Sequence, residues 1–380
     1  MPRYVIDEGA LTRNLEILKR VSDATGVKIL LAQKAFSCAA VYPLCARYLA
    51  GTTASSLFEA IHGKRHFPGE VHIFNPAFAP EEIAEILKTV DHIVFNSPRQ
   101  VGLYGTAARA AGVSIGLRVN PEVSVATTPA YDPCRPGSRL GTTRPALDAA
   151  GMTPLRGALD GLHFHCLCEQ GLDELKTVLA GFEARFGDCL PDVEWVNFGG
   201  GHHITRADYD VAGLIALLAD FRARYPHLTV YLEPGEAVAL NAGTLEARVL
   251  EVQPQVGGVS NAILDVSAAC HMPDVLEMPY TPRVTGAWIA GEAASSPGSR
   301  LRYRLGGPTC LAGDEIGTYD FDHPLRAGDT VAFEDMAIYS MVKNNTFNGV
   351  NLPDIALRRL SGEVVTLRTF GYRDFADRLG

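Results

Sequence analysis

Short, mostly apolar runs rich in β-branched residues recur along the first two-thirds of the chain. They fall at Lys28–Leu31, Gly51–Ala54, Val71–Phe74, His92–Phe95, Ser114–Val119, Gly161–Phe164, Glu194–Phe198 and Thr229–Leu232. Between them apolar positions return with helical spacing, as at Ala39–Leu49, Pro80–Lys88, Pro98–Ala111, Leu172–Phe186 and Tyr209–Arg224. Short buried strands that alternate with helices pair in parallel through right-handed crossovers. Eight of them predict an α/β fold, a (β/α)8 barrel over residues 8–240. Beyond residue 240 the helical spacing stops. Leu245–Val252, Asn261–Val266, Arg300–Leu305, Thr330–Glu334 and Glu363–Thr369 read as strands between Gly- and Pro-rich turns. These predict a mostly β, sandwich- or barrel-like domain over residues 241–380, joined by the N-terminal strand within residues 1–7. A long polar insertion, Val123–Arg139, follows the fifth run, and long loops in compact domains are usually functional or mobile.

The barrel expectation changes how the polar residues read. Each run is followed by a polar or small residue: Lys34, Ser55-Ser56, Asn75-Pro76, Asn96-Ser97, Asn120-Pro121, His165, Gly199-Gly200-Gly201 and Glu233. In such barrels the C-terminal strand ends carry the chemistry. Turn formation explains Asn, Gly and Pro there, but not Lys, His and Glu at the same rim. Lys34, in Leu30-Leu31-Ala32-Gln33-Lys34-Ala35-Phe36, follows a buried strand and must be neutralised or paired. Desolvation lowers a lysine pKa and frees the amine for imine formation; a stem that snorkels to the rim is the alternative. Gly199-Gly200-Gly201 can form an anion-binding nest, or a plain turn. The adjacent His202-His203 has no further ligand at helical spacing, so no metal is expected, and the pair reads as rim packing or a phosphate neighbour. Glu233, in Glu233-Pro234-Gly235, needs a cationic partner, which a protonated pyridine nitrogen would supply. His163 and His165 share one strand face; one of them could stack on a cofactor ring, and His163 reads better as core.

Composition narrows the class. The chain has 380 residues, 47% hydrophobic and 20% charged, as a folded globular protein does. No apolar run approaches the roughly 20 residues of a membrane helix, and Met1–Glu8 has neither the basic nor the apolar region of a secretory signal. The eight cysteines include one close pair, Cys166-x-Cys168, whose spacing suits neither a zinc knuckle nor a disulfide framework. A cytoplasmic protein with reduced thiols is expected. The net charge of −9 argues against nucleic acid and suits a cationic small substrate.

Lys34-Ala35, His165, Gly199–Gly201, Glu233-Pro234-Gly235, Gly307-Pro308-Thr309-Cys310, and Tyr339 followed by Thr346-Phe347-Asn348-Gly349 together resemble the fold-type-III pyridoxal-phosphate (PLP) decarboxylases, the family of eukaryotic-type ornithine and bacterial diaminopimelate decarboxylases. The resemblance implies that Lys34 is the Schiff-base lysine, Glu233 holds the pyridinium and His165 stacks on the ring. It further implies that Gly199, Gly200, Gly201 and Tyr339 bind the phosphate, that Cys310 is the proton donor, and that a homodimer shares its active sites through the Cys310 segment.

The departures bear on the substrate. The diaminopimelate branch has arginine after Glu-Pro-Gly, where this chain has Glu236, and a second family arginine is replaced by Glu277 within His271–Tyr280. The acidic residue usual after the cysteine is Leu311. A carboxylate cannot hold a distal carboxylate but can hold an ammonium. Thr52–Glu59, Gly161–His165, Asp265–Tyr280 and Tyr303–Asp314 are similar to the branch acting on carboxynorspermidine and carboxyspermidine. Glu236 and Asp274 are the first candidates for the substrate amines, with Glu277 and Asp314 in reserve. An ornithine- or diaminopimelate-type decarboxylase, a racemase on the same cofactor, a silent PLP-binding regulator and a non-enzymatic barrel are the alternatives.

Overall fold

The computed structural model describes residues 2–152, 155, 157–255, 258–292 and 301–380. Residues 13–238 form one compact unit; residues 1–12 with 239–380 form the other. After the first strand, β1 (Arg3–Asp7), come β2 (Lys28–Ala32), β3 (Gly51–Ala54), β4 (Glu70–Phe74), β5 (His92–Phe95), β6 (Ser114–Arg118), β7 (Gly161–His163), β8 (Trp195–Asn197) and β9 (Thr229–Leu232). The eight strands β2 to β9 pair in sequence order, all in parallel, and β2 closes the ring on β9. The predicted (β/α)8 barrel is therefore the fold of this unit.

Three barrel helices start where a side chain takes a free amide of the first turn. Ser56 accepts from Glu59 N at the head of Leu57–His66, and Ser97 from Gln100 N at the head of Pro98–Ala110. Asp210 caps Val211–Arg224, which begins two residues later than periodicity suggests. The helix expected at Ala39–Leu49 is broken into a 3-10 turn, Ala39–Val41, and a short helix, Tyr42–Cys45. Pro43 has no N–H to bond back to Ala39, so the turn cannot propagate.

The N-terminal end of the barrel is filled by Leu30, Val94, Trp195 and Tyr231. The Trp195 indole lies against Gly116 of β6 and Gly161 of β7, where a Cβ would stand 2.3 Å and 2.0 Å from the ring. These two glycines leave the space the indole occupies. A polar floor lies beside it. The Lys28 ammonium and the Tyr231 hydroxyl both donate to Glu70, and His72 stacks on His92 with ring centroids 3.9 Å apart. Glu70, His72 and His92 bring donor atoms within 4.8 Å of one another, and the cation Glu70 holds is Lys28.

The second unit is built on β1, β10 (Gly243–Gln253), β11 (Ser260–Leu264), β12 (Ala287–Ile289), β13 (Leu301–Gly306), β14 (Glu315–Phe321), β15 (Thr330–Glu334), β16 (Asp354–Arg358) and β17 (Val364–Arg368). The sheet runs β12-β14-β13-β11-β10-β1-β16-β17, with β15 also on β10. All its pairs are antiparallel except β1 with β16 and β11 with β13. Sequence patterning does not reveal β12, β14 or β16: Gly317 and Asp320 interrupt β14, and β16 starts and ends on charges. Arg300 of the expected Arg300–Leu305 strand lies outside the described residues.

Gly161→Ala is expected to lower stability by about 1–3 kcal/mol, because its methyl overlaps the Trp195 ring and forces overpacking. A lowered urea midpoint at unchanged slope would show this; an unshifted midpoint would refute the close-contact reading.

Candidate active site

Parallel register puts Arg118, His163 and Asn197 side by side at the ends of β6, β7 and β8, and Glu233 follows β9 directly. Glu233 is buried. Asn197 Nδ2 donates to its Oε1 at 2.7 Å, and His163 Nε2 stands 3.3 Å from its Oε2. Burial alone would raise the Glu233 pKa, but His163, His72 and Asn197 outweigh it and hold it at about 2. Burial, reinforced by Arg118 and Lys34, keeps the His163 pKa below its ordinary value even though Glu233 opposes this. A neutral His163 with its proton on Nε2 satisfies both directions. It donates to the carboxylate, and Nδ1, which has no hydrogen-bond partner, keeps its lone pair. Glu233 is therefore a fixed anion.

Lys34 lies two residues beyond β2, in a turn held by Gln33. The Gln33 side chain donates to the Glu59 carbonyl at 2.9 Å and accepts from the Tyr42 hydroxyl at 3.0 Å. The Lys34 side chain is exposed at the open barrel mouth, yet protein surrounds it on most sides. That surrounding mass, together with Arg118, lowers its pKa against the opposing pull of Glu233, Cys168 and Glu59. Arg118 is buried, lies 4.5 Å over the Phe74 ring, and donates to the His165 carbonyl at 2.9 Å. Its own pKa is lowered to about 10 by burial.

His165 accepts from Gly200 N at Nδ1, 3.0 Å away, which places its proton on Nε2. Burial, Lys34 and Arg118 push its pKa well below the ordinary value, so it presents a neutral, flat ring. Gly199 and Gly201 have φ of +70° and +89°. A Cβ on Gly200 would stand 2.1 Å from the Glu233 carbonyl oxygen, and one on Gly201 would stand 2.0 Å from that of Leu167. Only glycine fits. Asn197 Oδ1 accepts from Gly199 N at 2.8 Å, so one amide braces both the cradle and Glu233. At the same rim His203 Nε2 is 3.1 Å from Glu236 Oε2.

In the second unit Cys310 is exposed, and its N–H donates to Asn348 Oδ1 at 3.1 Å. Asp314, expected in reserve for a substrate amine, has a different job. It is 4% exposed. Its Oδ1 accepts from Ser267 Oγ and Ala269 N, and its Oδ2 from Thr309 Oγ1 and Thr309 N. Both oxygens are engaged in shaping the Gly307–Asp314 turn that carries Cys310, which leaves nothing for a ligand. Asp274 and Glu277, on the short helix Asp274–Glu277, both pair with Lys343. A substrate amine would have to displace that ammonium. Tyr339 is half-buried with φ +52° and ψ −46°, a costly backbone for a tyrosine.

Sequence reasoning passed over Arg118 and Asn197 and read His163 as packing. Their signal was their shared place as the last residue of three consecutive strands. The barrel residues fit a phosphorylated pyridine aldehyde. A desolvated amine can bond the aldehyde, a buried carboxylate can face the ring nitrogen, a neutral imidazole can cover the ring, and a cradle closed to any side chain can take the phosphate.

The arrangement is that of a PLP-dependent barrel enzyme. Residues 3–337 match the family model described as pyridoxal-dependent decarboxylase, C-terminal sheet domain. The chain is 42% identical over its whole length to the carboxyaminopropylagmatine decarboxylase of Synechocystis, covering 95% of that protein. It is 41% identical to the carboxynorspermidine/carboxyspermidine decarboxylase of Campylobacter jejuni, over 99% of this chain and 98% of the other. The crystal structure of carboxynorspermidine decarboxylase from C. jejuni complexed with norspermidine superposes with a TM-score of 0.90 at 40% identity, covering 100% of this chain and 99% of that one. Diaminopimelate decarboxylase from Helicobacter pylori shares the fold, with a TM-score of 0.81 at 18% identity over 100% of this chain and 96% of that one. The chain belongs to the pyridoxal-dependent decarboxylases and is a carboxy-lyase that works with PLP.

Arg118→Met keeps an apolar stem over Phe74 and removes the positive charge beside Lys34. The Lys34 pKa should then rise, leaving less neutral amine at a given pH, so cofactor uptake by apoprotein should slow near pH 7 and its pH midpoint move upward. The growth of visible absorbance after adding PLP measures this; an unmoved midpoint would remove Arg118 from the explanation.

Proposed function

We propose that this enzyme decarboxylates carboxynorspermidine, carboxyspermidine or both, releasing norspermidine or spermidine in polyamine biosynthesis. The observation that carries the reading is Glu236. An anion stands at the barrel rim where the diaminopimelate branch has an arginine, and it repels a distal carboxylate while attracting an ammonium. A second substrate, carboxyaminopropylagmatine, is favoured by the 42% identity to the Synechocystis enzyme. The reading is completed by a cytoplasmic homodimer in which the Cys310 segment serves the partner's site.

When bound, PLP supplies an electron sink for the pair left by the departing carboxylate. Lys34 anchors it through the neutral amine that desolvation favours. Glu233 holds a proton on the ring nitrogen, because an ionised carboxylate that stays ionised far into acid stabilises the cation opposite it. His165 covers the ring, Gly199–Gly201 and Tyr339 take the phosphate, and Glu236 orients the substrate. The Cys310 thiol delivers the proton that replaces carbon dioxide on the substrate α-carbon, with the Lys34 ammonium as alternative donor. Asp274 and Glu277 are further amine ligands, reached by exchange with Lys343. Asp314 positions Cys310.

Lys34→Ala should lose the cofactor's visible absorbance and the decarboxylation together; an active, colourless variant would sink the assignment. Comparing kcat/KM on carboxynorspermidine, carboxyspermidine and carboxyaminopropylagmatine, with diaminopimelate as control, tests the substrate class. Two substrates differing by one methylene should separate by only about 1–3 kcal/mol. Preference for diaminopimelate would overturn the reading. Glu236→Arg should raise KM for the polyamine substrates far more than it weakens PLP binding; equal losses would count against the role of Glu236.

A further inference from the structure

Within the second unit a closed circuit of hydrogen bonds joins the turn that carries Cys310 to residues 345–349. Asp314 holds Thr309 with one carboxylate oxygen and Ser267 and Ala269 with the other. Asn345 extends the circuit. Its Nδ2 donates to the Ala269 carbonyl at 2.8 Å, its N–H to the Cys270 carbonyl at 2.9 Å, and its Oδ1 accepts from Phe347 N at 2.9 Å. Asn348 closes it by accepting from Cys310 N at 3.1 Å. With Thr309 and the Cys310 amide both anchored, the direction of the Cys310 Cα–Cβ bond is set. Rotation about χ1 is the freedom its thiol retains.

The backbone at residue 348 favours few side chains. It has φ +58° and ψ 13°, the left-handed region that glycine, asparagine and aspartate enter at least cost. Asparagine and aspartate also bring an acceptor; glycine does not. Gly349 follows with φ +71°, so two successive left-handed residues are held in place by what surrounds them. The C-terminal helix, Tyr372–Leu379, supplies part of that support. The Arg378 guanidinium donates to the hydroxyl of buried Thr346. The Phe375 ring lies against Gly349, 3.8 Å from where a Cβ would stand. Asp374 fixes the start of the helix, accepting from Gly371 N at 2.8 Å and from Arg368 at 3.1 Å. No residue of this helix is buried, so burial in a core does not account for it.

We propose that Asn348 is a positioning residue for the protonation step: its side-chain oxygen fixes the Cys310 amide and so aims the thiol, and Arg378 of the C-terminal helix holds the turn that presents Asn348. This rests on the reading of Cys310 as the proton donor. The thiol has to reach one carbon of the substrate, and a displacement of about 1 Å from a productive position can cost two orders of magnitude in rate. An exposed turn held by Asp314 alone would leave the Cys310 peptide free to pivot about Thr309. The tie to Asn348 removes that freedom.

The test uses the holoenzyme, with steady-state constants on the best of the four substrates compared above and amide hydrogen exchange of the peptide over residues 308–313. Asn348→Gly keeps the left-handed backbone and removes the acceptor. It should lower kcat by roughly tenfold or more, leave KM and PLP affinity near wild type, and speed exchange of the Cys310 amide. Asn348→Asp keeps both backbone and acceptor and should restore most of kcat. Arg378→Met, which leaves the turn its own sequence, should lower kcat by roughly threefold and speed the same exchange. In a Cys310→Ala background Asn348→Gly should cost nothing further, because the group it aims is gone. An unchanged kcat in Asn348→Gly overturns the proposal, and so does an equal fold loss with and without the Cys310 thiol. If Asn348→Gly does not fold, Arg378→Met decides: unchanged kcat and exchange there overturn the part given to the C-terminal helix. A Cys310→Ala enzyme with full kcat overturns the proton-donor reading itself, and the proposal with it; an impaired Cys310→Ala beside an unimpaired Asn348→Gly overturns the proposal alone.

Discussion

A carboxylate sealed inside a barrel is the constraint on which the active site depends. Glu233 cannot shed its charge to water, so the protein has to stabilise the charge from within, and it recruits partners from adjacent strands to do so. Asn197 donates a short hydrogen bond, His163 donates from one ring nitrogen, and His72 contributes from below. The result is a fixed negative charge at the point where a pyridine nitrogen needs one. Had burial prevailed, Glu233 would have been a neutral acid and could not have held a proton on its ligand.

The same field governs the lysine. Desolvation, reinforced by Arg118, disfavours the ammonium form of Lys34, while Glu233 restrains that effect. His165 is kept neutral first by burial, with the neighbouring Lys34 and Arg118 adding to it. Burial and one cluster of charges together thus set the working protonation states of three groups. Closure of the barrel makes this possible, because adjacent strands in strict register point Arg118, His163 and Asn197 at one spot, a geometry that a flexible loop could not maintain. The second unit solves a related problem with one residue. Asp314 uses four hydrogen bonds to shape the turn that presents Cys310.

The acidic residues mark where patterning and geometry part. Glu236, Asp274, Glu277 and Asp314 look equivalent as letters, each an acid near a family motif. The fold gives each a different circumstance. Glu236 stands at the rim beside His203, Asp274 and Glu277 share an internal ammonium, and Asp314 is buried with every acceptor direction in use. A carboxylate's availability is decided by what else donates to it, and those donors come from residues distant in the chain.

By itself the sequence determined the barrel, the lysine and glutamate at its rim, the glycine cradle and the β-rich second unit. These rest on local physics: apolar runs of strand length, helical spacing between them, and residues placed directly after each strand. Tertiary structure decided which polar residues act together. It aligned Arg118, His163 and Asn197 across three strands, turned His163 from packing into a donor to Glu233, and withdrew Asp314 from the substrate candidates. Protonation state and hydrogen-bond saturation depend on neighbours brought close by folding, and linear order carries no record of distance.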